Sequence, residues 1–279
     1  MSDTVPQTLC HPDGRKSCGA CCGLYNHVVH DEEATWARLL RRTRAFYQEA
    51  SVGDEQSLTK FREKWEDGPE DKLLTGLRSC PFLGFVDFDP AEDETRQGRP
   101  KQVGCLVHPL QNDGVDGRDC GIYDRFICED YLCAAHDVLR RAEIRLVLDA
   151  VDDSYLYGLA VTNPKFVRKL LELVADRTGA LPGGTVLRRP EVIAAAGRCF
   201  ELMRDWPYRA EDGIFGQVEV AGELDTARRK MPAELLGVEE APEDVLLVCM
   251  GTQCDTVEEL KEARQIVVEV VDRLADAAQ

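Results

Sequence analysis

The chain has 279 residues, of which 44% are hydrophobic and 30% are charged, and its formal net charge is −17. This length is sufficient for one large domain or two modest ones. The acidic balance argues against sequence-independent binding to nucleic acid, which requires a basic surface. No apolar run approaches the roughly 18–20 residues that span a bilayer, and the N-terminus lacks the apolar stretch of a secretory signal. We therefore expect a cytoplasmic protein that does not bind membranes.

Two helices and a β-hairpin are predicted for the first half of the chain. Asp31 is a suitable helix N-cap, and apolar residues at helical spacing continue from it to about Ala50. Alternating apolar residues further along predict two antiparallel strands joined by a long acidic loop. In chain order the predicted segments are an extended piece at 24–29, helices at 31–50 and 57–67, a helical turn at 73–77, and strands at 82–88 and 102–107.

The second half of the chain has the pattern of ordinary amphipathic helices. One long helix is predicted from Leu132 to Val151, and further helices at 164–178, 190–206 and 256–277. Residues 245–251 fit either a buried strand or the end of a helix, and the segment before Pro232 is predicted to be a loop.

These patterns predict an α-rich α+β fold with two parts. The first, residues 10–136, is an irregular cysteine-bearing part that contains the hairpin, and the second, residues 137–279, is mostly helical. Because Cys133 leads directly into the long predicted helix, the two parts could also pack as one unit.

Cysteine is the residue type whose distribution is unusual. Nine of the twelve cysteines and all five histidines lie at or before His136. Disulfides are rare in a reducing compartment, so these cysteines are predicted to be metal ligands rather than crosslinks. Buried free thiols that pack as small apolar side chains are the alternative.

The most specific pattern is the run Ser17-Cys18-Gly19-Ala20-Cys21-Cys22-Gly23. Cys18 and Cys21 form a C-x-x-C pair, which a tight turn can direct at one metal ion, although such a pair can also be a redox dithiol. Side chains of adjacent residues diverge, so Cys21 and Cys22 suit two neighbouring sites or a polynuclear centre better than one tetrahedral ion. The candidate metal ligands are Cys18, Cys21, Cys22, Cys80, Cys105, Cys120, Cys128 and Cys133.

The order of these motifs resembles the YkgJ-type cysteine-cluster proteins, described as a zinc- or iron-chelating domain. Cys18, Cys21 and Cys22 match the last three cysteines of that family's opening C-x-x-C-x-x-C-C pattern. Cys80-Pro81-Phe82-Leu83 matches its middle segment. The closing segment is matched by Cys120, Ile122, Tyr123, Cys128 and Cys133. The resemblance covers residues 10–136 and implies a cofactor of zinc or iron, including an iron–sulfur cluster.

The chain departs from the family pattern in two places. Arg15 occupies the position of the first cysteine of the opening motif, so either Cys10 or Cys105 would have to supply that ligand. The segment that follows Tyr123 also lacks the usual Arg-Pro pair and is shorter.

The remaining metal-binding side chains are assigned lesser roles. His27 and His30 are expected to face solvent or to support the ligands from outside. His108 and His136 could be ligands or hydrogen-bond donors to sulfur, and Cys199, Cys249 and Cys254 are expected to be buried thiols.

The sequence is compatible with three classes of function. The first is a metal-binding protein whose centre is structural or redox-active. The second is a metal-dependent enzyme that modifies proteins, because flagellin lysine methylases carry a related cysteine pattern. The third is an adaptor in which metal stabilises the first part while the helices bind another protein. No motif of a hydrolase or kinase is present, so no catalytic residue is predicted.

Overall fold

A computed structural model describes residues 8–91 and 102–279 of the chain. The chain divides into two compact units. The cysteine unit comprises Thr8–Cys133 together with Asp153–Tyr155, and the helical unit comprises Ala134–Asp152 and Leu156–Gln279. The first unit therefore ends three residues before the boundary at His136 that the sequence predicts.

The cysteine unit contains three helices and one hairpin. Asp31 caps the first helix by accepting a hydrogen bond from the Ala34 amide at 2.8 Å, and Asp54 caps the second in the same way through the Gln56 amide at 3.0 Å. Both helices confirm the sequence prediction. The elements are α1 (Glu32–Glu49), α2 (Glu55–Trp65), β1 (Leu83–Phe85), β2 (Val103–Cys105) and α3 (Arg125–Asp130).

The predicted hairpin is present, with strands shorter than expected. β1 and β2 are antiparallel, and Leu83 lies opposite Cys105 while Phe85 lies opposite Val103. Most of the predicted acidic loop, residues 92–101, lies outside the described residues. The segment predicted as a helical turn at 73–77 forms a single hydrogen-bonded turn, in which the Leu77 amide donates to the Leu74 carbonyl at 3.0 Å, and no strand forms at 24–29.

An aromatic core supports the hairpin and both long helices of this unit. The ring of Phe61 lies 5.4 Å from that of Phe46 and stacks at 5.8 Å on that of Phe82. Edge-to-face and offset stacking of this kind adds to the free energy gained by burying the rings. Three cysteines pack against this core from its edge: Cys80, Cys105 and Cys120.

The helical unit is built around a long C-terminal helix. Leu260, Val267 and Val271 of that helix are completely buried, and the helix packs against two earlier helices, which span Pro164–Thr178 and Pro190–Glu201. The elements are α4 (Ala135–Val138), α5 (Arg141–Ala150), α6 (Ser154–Val161, whose first two residues count with the cysteine unit), α7 (Pro164–Thr178), α8 (Pro190–Glu201), β3 (Val218–Val220), β4 (Thr226–Arg228), α9 (Pro232–Leu236), α10 (Asp244–Cys249) and α11 (Val257–Ala278).

The single helix predicted from Leu132 to Val151 is wrong. The chain is extended at Leu139 and Arg140, which separates α4 from α5. The Arg140 amide donates to the Glu143 carboxylate at 2.6 Å, so this side chain begins a new helix where the apolar spacing alone indicates continuity.

Three other predictions for the helical unit need correction or are resolved. α8 ends at Glu201 rather than near Trp206, and residues 245–251 contain a helix, α10. The predicted loop before Pro232 contains the hairpin of β3 and β4. Asp212 fixes this hairpin by accepting hydrogen bonds from the Val220 amide at 2.8 Å and from Arg229 at 2.7 Å.

The predicted α-rich α+β class is confirmed, because about 52% of the chain is helical and two small antiparallel sheets are present. None of the helices in the described ranges combines the length and the apolar character needed to cross a bilayer.

Candidate metal centre

Cysteines from four segments of the chain meet in the cysteine unit. They come from the N-terminal segment, from a 3-10 turn at Ala20–Cys22, from the hairpin, and from α3 and the residues after it. They form two groups, within which the charge on one thiol raises the pKa of another. The first thiol set is Cys10, Cys18, Cys21 and Cys133, and the second thiol set is Cys22, Cys80, Cys105 and Cys128.

Backbone hydrogen bonds bring the members of the first thiol set together. The Cys18 amide donates to the Cys10 carbonyl at 2.8 Å, which brings the N-terminal segment beside the C-x-x-C turn. Burial, and then the neighbouring Cys10, Cys21 and Cys133, raise the pKa of the Cys18 thiol. The pKa of Cys21 is raised to about 11, first by removal of water and then by Cys133 and Cys10.

The second thiol set is assembled by the hairpin. The Cys80 amide donates to the Cys22 carbonyl at 2.9 Å, and strand pairing places Cys105 beside Leu83, three residues after Cys80. Burial raises the pKa of Cys22 well above its ordinary value, and Cys80 and Cys105 raise it further. Burial and then Cys80 raise the pKa of Cys105 to about 12. Cys128 has its pKa raised by burial and by Cys80.

A glycine allows the two parts of this set to approach each other. Gly23 follows the Ala20–Cys22 turn with a φ of +90°, in the left-handed region that favours glycine. A Cβ atom at this position would lie 2.8 Å from the Cα atom of Ser79. Any larger residue at position 23 would therefore push the backbone before Cys80 away from Cys22.

Backbone amides also point at several of the sulfurs. The Ala20 amide donates to the Cys18 sulfur, the Val107 amide to Cys105, and the Phe82 and Ile122 amides to Cys80. Such donors lower the thiol pKa, in opposition to burial, because they favour the thiolate. Cysteine sulfurs with amide donors around them therefore fit a thiophilic cation such as zinc or iron, which binds deprotonated cysteine.

In the described part of the chain, the cysteine sulfurs of the two thiol sets are not arranged around a common point that a metal ion could occupy. Among residues 8–91 and 102–279, no three His, Cys, Asp or Glu side chains have an arrangement that could hold a metal ion. Thiols with raised pKa values are protonated near neutral pH and do not attract one another. Metal binding would therefore require the ligand thiols to lose their protons and the sulfurs of each thiol set to move closer together.

Cys120 and Arg15 lie apart from both sets. The charged groups that influence the Cys120 thiol are Glu55, Arg62 and Asp119, and no cysteine is among them. Arg15, at the position of the family's missing cysteine, lies in a turn where the Asp13 carboxylate accepts its amide at 2.8 Å. Of the two proposed substitutes for that cysteine, Cys10 joins Cys18 and Cys21, whereas Cys105 belongs with the second set.

The histidines occupy several different environments. His11 and His108 are close enough that His108 contributes to lowering the His11 pKa, after burial. His108 caps a short turn by accepting the Leu110 amide at 3.2 Å. His27 is buried and therefore does not face solvent. His136 lies in α4 of the helical unit.

The three cysteines of the helical unit are buried. Burial raises the pKa of Cys199 and of Cys249 to about 12, and the Cys199 thiol donates to the Val270 carbonyl at 3.6 Å. These side chains pack as small apolar groups, in agreement with the sequence prediction.

Comparison of the chain with known protein families, with curated proteins and with solved structures finds no match. A function therefore has to be inferred from the residues of this chain.

Proposed function

We propose that the cysteine unit is a metal-binding module with two centres, each formed by four cysteine sulfurs. The observation that carries the proposal is that the thiols which raise one another's pKa fall into two sets of four, with Cys21 and Cys22 in different sets. The influence of Cys21 on its neighbour Cys22 is the one that crosses between the sets. Four sulfurs are the complete ligand set of a structural zinc ion and of a [4Fe–4S] cluster. The proposed ligands are the four members of each thiol set.

The division changes what the adjacent cysteines imply about the metal. If Cys21 and Cys22 served one centre, their diverging side chains would favour a polynuclear cluster. When each serves its own centre, mononuclear zinc and iron–sulfur clusters fit the cysteines equally well. When bound, zinc would stabilise the fold, whereas an iron–sulfur cluster would also accept and donate electrons.

Metal analysis of anaerobically purified protein tests the proposal. Two zinc ions per chain in a colourless protein would identify two mononuclear centres. A brown protein with several irons and acid-labile sulfide would identify clusters. Protein that is folded, stable and free of metal would contradict the proposal.

Serine variants test the assignment of ligands. Cys18→Ser and Cys80→Ser are each expected to reduce the metal content by about half, because each removes a sulfur from one set. Cys120→Ser is the matched control, since Cys120 packs against the same core but belongs to neither set, and it should keep its full metal content. Equal losses in all three variants would contradict the division into two sets.

A further inference from the structure

A groove beside α1 is lined by three arginines. It has a volume of about 420 Å³ and lies between α1 and the segment after α2. This volume is within the range of small-molecule sites in proteins. The arginine groove, as we name it, is lined among others by Val29, Arg38, Arg41, Arg42, Trp65 and Asp67.

Arg41 and Arg42 lie three and four residues after Arg38, so each of them is a neighbour of Arg38 on the surface of α1. Arg42 is buried and forms an ion pair with Asp67 at 2.8 Å. Arg38 donates only to uncharged groups, the Val29 carbonyl at 3.2 Å and the Thr35 hydroxyl at 3.4 Å. Arg41 is exposed and, within the described ranges, has no ion pair. Within the described part of the chain, neither Arg38 nor Arg41 thus forms an ion pair with a carboxylate, and Asp67 and Asp31 act on Arg38 from beyond ion-pair distance.

The arginines affect one another. The Arg38 pKa is lowered to about 10, first by burial and then by Arg42. Like charges at this spacing destabilise a helix by a few tenths of a kcal/mol per pair. A cluster of three arginines stands out in a chain whose net charge is −17.

The floor of the groove contains buried polar atoms without partners. Among the described residues, Nε of Arg42 and Oδ2 of Asp67 have no hydrogen-bond partner, and their side chains are only 4% and 10% exposed. His27 does not satisfy Asp67, because its Nε2 is 3.8 Å from Oδ2. Burial and Arg38 also lower the His27 pKa to about 4, so its ring is neutral near pH 7. An unsatisfied buried polar atom costs free energy, and both of these atoms are shielded from a molecule in the groove.

We infer that the arginine groove binds a small organic oxyanion, a carboxylate or a phosphate, through the guanidinium groups of Arg38 and Arg41. Guanidinium groups match the geometry of both anions with paired hydrogen bonds. Glu70 and Asp71 also line the groove and would repel a second anionic group. The ligand therefore carries one anionic group.

Titration calorimetry tests this inference on the full-length protein as purified, at constant ionic strength. The probes are inorganic phosphate and acetate in separate titrations, which distinguish a phosphate ligand from a carboxylate. Saturable binding of at least one probe is expected. If neither probe saturates, the inference is wrong.

Two variants on one helix locate the binding. Arg41→Gln should weaken binding about tenfold, because it removes a charge-assisted contact without affecting a buried group. Arg44→Gln makes the same change of charge on α1 outside the groove and should leave binding unchanged. Equal effects of the two variants, or no effect of Arg41→Gln, would show that the anion binds elsewhere. The result is independent of metal content, so it can fail while the metal proposal stands.

Discussion

Burial raises the pKa of six of the proposed ligand thiols, which are Cys18, Cys21, Cys22, Cys80, Cys105 and Cys128. The pKa of Cys21 is raised to about 11 and that of Cys105 to about 12, in each case first by loss of water and then by neighbouring thiols. Both thiols therefore carry their protons near neutral pH. Because a metal ion binds the thiolate, each coordinated sulfur has to release its proton.

Metal affinity should accordingly rise with pH. Each proton released on binding makes the apparent affinity about tenfold higher per pH unit. The expected result between about pH 6 and about pH 8 is a rise of at least tenfold per unit, with acidification of a weakly buffered solution as metal is added. Competition with a chelator at several pH values measures the affinity. An affinity that does not change with pH would show that the ligand thiols are already ionised.

At the scale of elements, the turn Ala20–Cys22 and the hairpin depend on a close approach at Gly23. Substitution there has two effects, a strained left-handed backbone and a collision with Ser79. Gly114 separates these effects, since its φ is +88° but a Cβ atom added to it would have no other atom within 4 Å. It provides the control for strain alone.

Gly23→Ala should remove metal from the second thiol set while Gly114→Ala should not. Both variants are expected to lose about 1–2 kcal/mol of stability from the left-handed backbone. Only Gly23→Ala should also lose about half of the bound metal, because its Cβ separates Cys80 from Cys22. Elemental analysis and urea unfolding of the two proteins provide the comparison. Equal metal contents would mean that the backbone adjusts to the added methyl group.

Local signals predicted some of these elements well and others poorly. The cap Asp31 predicted a helix that the structure confirms, and the helices predicted at 164–178 and 256–277 are α7 and α11. The break before α5 was missed because Glu143 caps the helix through a single hydrogen bond, which apolar spacing does not reveal. The β3–β4 hairpin was missed because its strands are only three residues each and depend on a distant carboxylate, Asp212.

The candidate site was also predicted only in part. Motif spacing identified seven of the eight proposed ligands and named Cys10 as one of two possible substitutes. It also included Cys120, which packs against the aromatic core and has no cysteine among the charged groups that influence its thiol. Assignment of thiols to separate sets depends on contacts between distant segments, such as that of Cys22 with Cys80, which no local spacing encodes. The arginine groove could have been suspected from the spacing of Arg38, Arg41 and Arg42 on a predicted helix.

At the scale of the whole molecule, tryptophan positions allow the two units to be followed separately. Trp36 and Trp65 lie in the cysteine unit, in α1 and α2. Trp206 lies in the helical unit, where its Nε1 donates to the Thr252 hydroxyl at 2.8 Å. Variants that keep only one group of tryptophans report the unfolding of one unit.

Metal removal should destabilise only the cysteine unit. In Trp206→Phe, a chelator is expected to lower the free energy of unfolding by several kcal/mol, because metal binds the folded unit more tightly than the unfolded chain. In Trp36→Phe/Trp65→Phe, the urea midpoint reported by Trp206 should stay unchanged. Fluorescence during urea titration measures both. A parallel shift in the two proteins would show that the units unfold together.

The peptide bond between Cys21 and Cys22 has a consequence for the order in which the proposed centres fill. This bond belongs to both thiol sets, and the turn that contains it is only three residues long. An ion held by Cys21 would restrict the torsion angles of Cys22 and so reduce the conformational entropy that the other set still has to lose. The second ion would then bind more readily than the first.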